Sequence, residues 1–243
     1  MRWIVQLISA FFGKKEDAQV PPPASATPIT PATPVPDRDP NRPVTIVDVY
    51  HNDVVVNWNL LKEQIDGIIL KVSEADYRVD DAFQKFRAQA AQAGIPCGFY
   101  HFYRSDKSPE LQAALFLKTI GDIKPGELNI VVCDWETEDD PEDGFDKDEV
   151  KRFQDIVEAK LGIIPWVYGG RLLKENAVPV VFARYPLWLS HYTNNPRPVV
   201  PAPWIKETLW QYTNKESCNG IKNPCDCSRF NGSYEDFKLF IKR

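Results

Sequence analysis

From residue 44 onward the chain alternates short apolar runs with helical stretches, and this alternation restricts the fold more than any other feature of the sequence. TIVDVY (45–50), GIILKVSE (67–74), GFYHFY (98–103), LNIVVCDWE (128–136) and IPWVYGG (164–170) read as buried strands. Between them, VNWNLLKEQI (56–65), DDAFQKFRAQAAQAG (80–94), SPELQAALFLKTIG (108–121) and DKDEVKRFQDIVEAKLG (146–162) carry helical periodicity. Gly94 closes one helix and Pro109 opens the first turn of the next. Repeated strand–helix units of this length call for a parallel sheet with its faces covered, most economically a closed barrel. The last third holds LWLSHY (187–192), TLWQYT (208–213) and a final helix near 233–243, with fewer helices than a regular eightfold barrel requires. The expectation is therefore an α/β fold, an irregular TIM-like (β/α) barrel forming a single domain over residues 44–243.

Nine of the 21 prolines fall between Pro21 and Pro43, in a stretch that cannot bury enough apolar surface to fold. Residues 21–43 read as a disordered, extended linker. Before it, residues 1–20 place Trp3, Ile4, Leu7, Ile8 and Phe11 on one helical stripe. Three readings stay open for this segment: an amphipathic helix contacting a membrane or protein through residues 1–13, a short secretory signal, or an inert tail. No apolar run is long enough for a conventional membrane-spanning helix. A net charge of −5 argues against a general nucleic-acid binder.

In a barrel of this kind the chemistry gathers where the parallel strands end. Those ends carry Asp48, Glu74, Tyr100 with His101, Asp134 with Glu136, Tyr168, and Trp188 with His191 and Tyr192. Trp210, Gln211 and Tyr212 follow, and Asp226 lies in the last strand-like piece. Acids at several strand ends, aromatics at others, and no basic cluster or glycine-rich phosphate loop fit a carbohydrate hydrolase. Asp134 and Glu136, two apart on a strand, share a face. Crowded into a partly desolvated pocket, one of them holds its proton and can act as general acid. The competing reading makes them a solvated strand end feeding the acidic loop that follows. Asp48 and Asp226 favour the first, because a buried acid needs a partner or a function. His101 and His191 can be read as general bases or as hydrogen-bonded structural residues, and the second is the expectation.

Of the five cysteines, Cys97 and Cys133 lie in strands and read as buried thiols. Cys218, Cys225 and Cys227 cluster without a nearby histidine to complete a zinc site, so one local disulfide is expected if the protein is exported. Reduced thiols are the alternative.

Taken in order, these segments resemble glycoside hydrolase family 25, the N-acetylmuramidase lysozymes. IVDVYHNDVVVNW is similar to the family's opening strand with its aspartate, and LKVSEADYRVDDAF to its K-x-T-E-G segment. GIPCGFYHFY, QAALF, VVCDWE, PWVYGG, YPLWLSHY and LWQYT follow in family order, and NGIKNPCDCSRFNGS resembles the closing segment with its aspartate. The resemblance implies cleavage of the β-1,4 bond between N-acetylmuramic acid and N-acetylglucosamine, in cell-wall lysis by a phage endolysin or in bacterial wall remodelling. It implies Glu136 as acid and then base, Asp134 as its assistant, and Asp48 and Asp226 lining the site. Glu74, Tyr100, Tyr168, Trp188, Tyr192, Trp210 and Gln211 become the substrate-binding candidates. Neither metal nor cofactor is implied; the partner is peptidoglycan glycan strands, and the enzyme is expected to act on the wall as a monomer. Ser73, Ala75, Ser228 and Asn52–Asp53 depart from the family pattern and bear on fine specificity. The alternatives are an inactive peptidoglycan-binding module and a hydrolase of the same fold acting on chitin-like glycans.

Overall fold

The computed structural model describes residues 42–137 and 146–242. The N-terminal segment 1–20, nearly all of the proline-rich linker and most of the acidic loop after Thr137 lie outside the described residues. Arg42, assigned from sequence to the linker, donates to Asp66 Oδ1 at 2.5 Å, while Thr45 N donates to the other Asp66 oxygen. None of the described helices is long and apolar enough to cross a membrane.

The strands are β1 (Thr45–Val49), β2 (Gly67–Glu74), β3 (Arg78–Val79), β4 (Cys97–Phe102), β5 (Val131–Asp134), β6 (Trp166–Gly169), β7 (Leu187–Ser190), β8 (Leu209–Glu216) and β9 (Cys225–Phe230). Strand β1 pairs with both β2 and β9, so β1, β2, β4, β5, β6, β7, β8 and β9 close into a ring. Strand β3 attaches outside it as a short antiparallel arm on β2. Neighbours from β1 round to β8 run parallel, whereas β9 is antiparallel to both β8 and β1. This is the irregular (β/α) barrel expected from the sequence, with one strand reversed. The cause is length. Only residues 217–224 join β8 to β9, and a parallel return needs a crossover of about a dozen residues or more.

Helices α1 (Trp58–Lys62), α2 (Phe83–Ala93), α3 (Pro109–Ile120), α4 (Lys147–Leu161), α5 (Arg171–Glu175) and α6 (Tyr234–Lys238) accompany the strands. Local chemistry sets several of their ends. Gly94 (φ 69°) caps α2 in the left-handed conformation, and the Ser108 hydroxyl accepts from Leu111 N ahead of Pro109 in α3. The first helix is shorter than its periodicity suggests. Gly220 O takes the N–H groups of Val56 and Asn57, and the Asn57 side chain caps Asn59 and Leu60, so the helix starts only at Trp58.

The alternation along each strand divides the core in two. Outward residues such as Val47, Leu70, Phe99, Cys133 and Val167 pack against the helices with Phe83, Phe116 and Phe153. Inward residues Ile46, Ile69, Val132, Trp166 and Leu209 fill the lower barrel, which Phe237, Phe240 and Ile241 plug from below. A buried ion pair ties α2 to this frame. Arg87 grips Glu127 with two hydrogen bonds of 2.7 and 2.8 Å and also donates to Ile120 O and Asp122 O.

Candidate active site

Above the apolar plug, the same inward positions turn polar. Asp48, Lys71, Asp134, Tyr168, Ser190, Gln211 and Asp226 all point into one open cavity of about 520 Å³, with Tyr50, Tyr100, Phe102, Glu136, Trp188 and Tyr192 around it. Strand register explains the convergence. Asp48 stands directly opposite Asp226, Asp134 is opposite Tyr168, and Ser190 is opposite Gln211. Because β9 runs backwards, Asp226 sits at the start of its strand yet at the same mouth as the ends of the others.

The acids perturb one another. Asp134 is almost fully buried, its Oδ1 has no hydrogen-bond partner, and desolvation followed by the charge of Glu136 pushes its carboxyl well above the usual range. Glu136 is exposed to the mouth, but protein on its flanks strips enough water to raise its pKa, and the charge of Asp226 adds to this. Lys71 and a hydrogen bond with Asp134 pull the other way on Glu136. Desolvation and the facing Asp226 also raise Asp48 strongly. Asp226 itself is lifted to about 6 by burial and by Asp53 behind it. Four desolvated carboxyls share one cavity and repel one another, so protons are held there to higher pH than on free carboxyls.

Gln211 organises one wall. Its Nε2 donates to both oxygens of Asp48 at 3.0 and 3.2 Å, and its Oε1 accepts from the hydroxyls of Tyr168 (2.9 Å) and Tyr192 (2.8 Å). Lys71, not singled out from the sequence, lies under the opposite wall. It donates to Glu74 Oε2 at 2.7 Å and sits 4.7 Å from the centre of the Phe102 ring. The apolar run GIILKVSE concealed its inward direction, although parity with Ile69 would have revealed it.

Two sequence-derived candidates fall outside the cavity wall. Glu74 spends its carboxylate on Lys71 and on Arg104, whose Nε and Nη2 donate at 3.0 and 2.7 Å; these partners outweigh burial and lower its pKa. It therefore supports Lys71 from behind. Trp210 neighbours the inward-facing Gln211 on the same strand, so its side chain must face the other way; its indole donates to His191 O at 2.8 Å. Trp188 does line the cavity but is only 2% exposed, packed edge-on to Tyr168 at 4.6 Å with its indole held by Ser228 Oγ. Tyr192, 48% exposed, is the open ring at the mouth.

Neither histidine lines the cavity. The Gln112 amide N–H donates to the carbonyls of Arg104 and Lys107, so its oxygen must accept from His101 Nε2, leaving Nδ1 to accept from Ser73 Oγ. Burial lowers His101 to about 4. His191 accepts from Val199 N through Nδ1, outside the cavity wall. Two departures from the family pattern thus have structural duties: Ser73 orients His101 and Ser228 holds Trp188. A third, Ala75, adopts a positive φ of 52°, the conformation a glycine would take without strain.

A barrel whose strand ends converge carboxylates and aromatic rings on one open mouth defines a glycan-cleaving class of enzyme. The model of the glycosyl hydrolases family 25 matches residues 47–221, and the chain belongs to that family. It is 25% identical to the protein YegX of Escherichia coli (strain K12) over 201 residues, covering 80% of this chain and 72% of that one. It is 26% identical to the autolytic lysozyme of Clostridium acetobutylicum over 188 residues, covering 76% of this chain and 55% of that one. The fold is shared with the bacterial lysozyme from Streptomyces coelicolor (TM-score 0.72, 24% identity, covering 83% of this chain and 98% of that one). A family 25 lysozyme from Aspergillus fumigatus shares it as well (TM-score 0.70, 23% identity, covering 83% and 100%).

Proposed function

We propose that this mouth is the active site of a lysozyme that hydrolyses peptidoglycan at the β-1,4 bond between N-acetylmuramic acid and N-acetylglucosamine. The observation that carries the assignment of roles is the Asp134–Glu136 pair: two hydrogen-bonded carboxyls, both raised by desolvation, one deep and one at the open mouth. Glu136, within reach of a bound glycan, protonates the leaving oxygen and then, as a carboxylate, takes the proton of the incoming water. Asp134, deeper and with one oxygen unpartnered, accepts the amide N–H of the 2-acetamido group. That turns the acetamido carbonyl towards the anomeric carbon and stabilises the positive charge developing there. Asp226 supplies negative charge that helps keep a proton on Glu136, while Gln211 holds Asp48 across the cavity. Tyr192 offers a face to a sugar ring, while Tyr100, Tyr168 and Trp188 shape the wall.

The test is mass spectrometry of the products released from purified peptidoglycan by the full chain and by its Glu136→Gln variant. Fragments ending in reducing N-acetylmuramic acid, absent with the variant, support the assignment. Reducing N-acetylglucosamine ends would reassign the bond, release from chitin oligomers alone would reassign the substrate, and wall binding without products would make the chain a binding module.

A further inference from the structure

Behind the active site, on the outward face of β9, lies a group of side chains that glycan hydrolysis does not use. Cys218, Cys225 and Cys227 are all buried, and their sulfurs form a triangle: 3.1 Å from Cys225 to Cys218, 3.7 Å from Cys218 to Cys227, and 3.9 Å from Cys225 to Cys227. Cys225 and Cys227 flank Asp226 on the strand and point away from the cavity, into the apolar layer with Leu61 and Ile221. Cys218 reaches them by way of the turn closed by the Ile221 N to Cys218 O hydrogen bond.

We propose that Cys218 and Cys225 are an oxidisable pair that closes into a disulfide, with Cys227 left as the enclosed third thiol. Geometry selects the pair. Residues two apart on a strand have Cα atoms about 6.6 Å apart and near-parallel Cβ directions, whereas a disulfide brings its Cβ atoms to about 3.8 Å. A Cys225–Cys227 bond would therefore break the strand that carries Asp226. Of the two pairings left, Cys218–Cys225 is already in the closer contact and spans the short β8–β9 connection at the very start of β9, leaving Asp226 and Cys227 in their pairing with β1. A metal held by all three sulfurs is disfavoured for two reasons. Among the described residues no fourth histidine, cysteine or acid joins the group, and a thiolate centre would add negative charge directly behind Asp48 and Asp226. A disulfide is neutral.

The reaction is a thiol–disulfide exchange with a disulfide-bonded thiol compound such as oxidised glutathione. One thiolate attacks the oxidant to give a mixed disulfide and expel one thiol, and the second thiolate then displaces the other. Two S–H bonds are lost and one S–S bond is formed, while the two electrons and two protons leave on the reduced oxidant.

The bond would close a clasp. The bridged turn holds the segment between β1 and α1 in four ways: Gly220 O accepts from Val56 N and Asn57 N, Lys222 N donates to Val54 O, Asn223 Oδ1 accepts from Val54 N, and Asn223 Nδ2 donates to Asp53 Oδ1. Asp53 is one of the charges that raises Asp226. Oxidation thus fixes the loop that presents Asp53 to the site.

The test equilibrates the full chain in reduced and oxidised glutathione, traps free thiols with N-ethylmaleimide, and maps the bridge by peptide mass spectrometry. The proposal expects one Cys218–Cys225 bridge, retained in Cys227→Ser, absent in Cys218→Ser, and raising the melting midpoint by several degrees, on the order of 5 °C. Cys97 and Cys133 should be recovered as thiols. A dominant Cys218–Cys227 bridge, five trapped thiols at every redox ratio, or a native mass showing a metal held by the three cysteines would each overturn it.

Discussion

Asp226→Asn should make the protein more stable at neutral pH while impairing it as an enzyme, and the size of the gain follows from the site. Folding lifts this carboxyl from 3.8 to about 6, chiefly by burial and secondly through Asp53. An acid whose proton affinity rises on folding stabilises the fold fully at low pH, below about 4. That contribution is lost as pH climbs through about 6, because ionisation then costs more in the fold than in the unfolded chain. At about 1.4 kcal/mol per tenfold change in proton affinity, the loss at pH 7.5 is at most about 3 kcal/mol. Sharing of protons with Asp48 and the hydrogen bond from Tyr192 (3.5 Å) reduce what a single substitution recovers, to about 1–2 kcal/mol. Urea unfolding of both proteins from pH 4 to 8 measures this directly. The difference in unfolding free energy should be near zero at pH 4 and grow in favour of the variant between pH 4 and 7. Parallel stability curves, or a variant less stable at pH 7.5, would refute the claim that Asp226 is held against its charge.

Other perturbations probe other parts of the argument. Glu127→Ala strands the buried Arg87 and should cost about 3–5 kcal/mol by denaturant titration. Replacing Gly220 (φ 102°) with alanine would place a Cβ 2.3 Å from Asn57 O; with about 1–2 kcal/mol from the left-handed backbone and about 1–3 from overpacking, the urea midpoint should fall clearly. Tyr192→Ala should raise KM for glycan oligomers about tenfold with little loss of stability. Trp210→Ala should do the reverse, costing about 3–5 kcal/mol of stability with KM held within a few-fold. If KM rises as much for Trp210→Ala as for Tyr192→Ala, the outward orientation of Trp210 is irrelevant to binding and the contrast fails.

Local pattern determined a great deal of this protein. The run GIILKVSE is a strand over the very residues its apolar continuity marks, and Gly94, Gly162 and Ser108 cap helices where their chemistry requires. The pairing of Asp134 with Glu136 at a strand end was equally legible, because it depends only on side-chain alternation and on where the apolar residues stop. What the linear pattern did not reveal is direction and partnership. Strand β9 is reversed because eight residues are too few for a crossover, and only that reversal sets Asp226 against Asp48. Facing is relative to the neighbouring strand, so Trp210 was read as a sugar platform although Gln211 beside it takes the inward place. Glu74 was read as a substrate ligand because its partners, Lys71 and Arg104, come from an inward strand position and a later loop. The three sulfurs behind β9, by contrast, are neighbours along the chain as well: the short β8–β9 connection folds Cys218 back over Cys225 and Cys227, which alternation sets on one face. Residue type and periodicity decide what each segment can be, while burial, charge and contact are properties of the closed barrel and exist only once it forms.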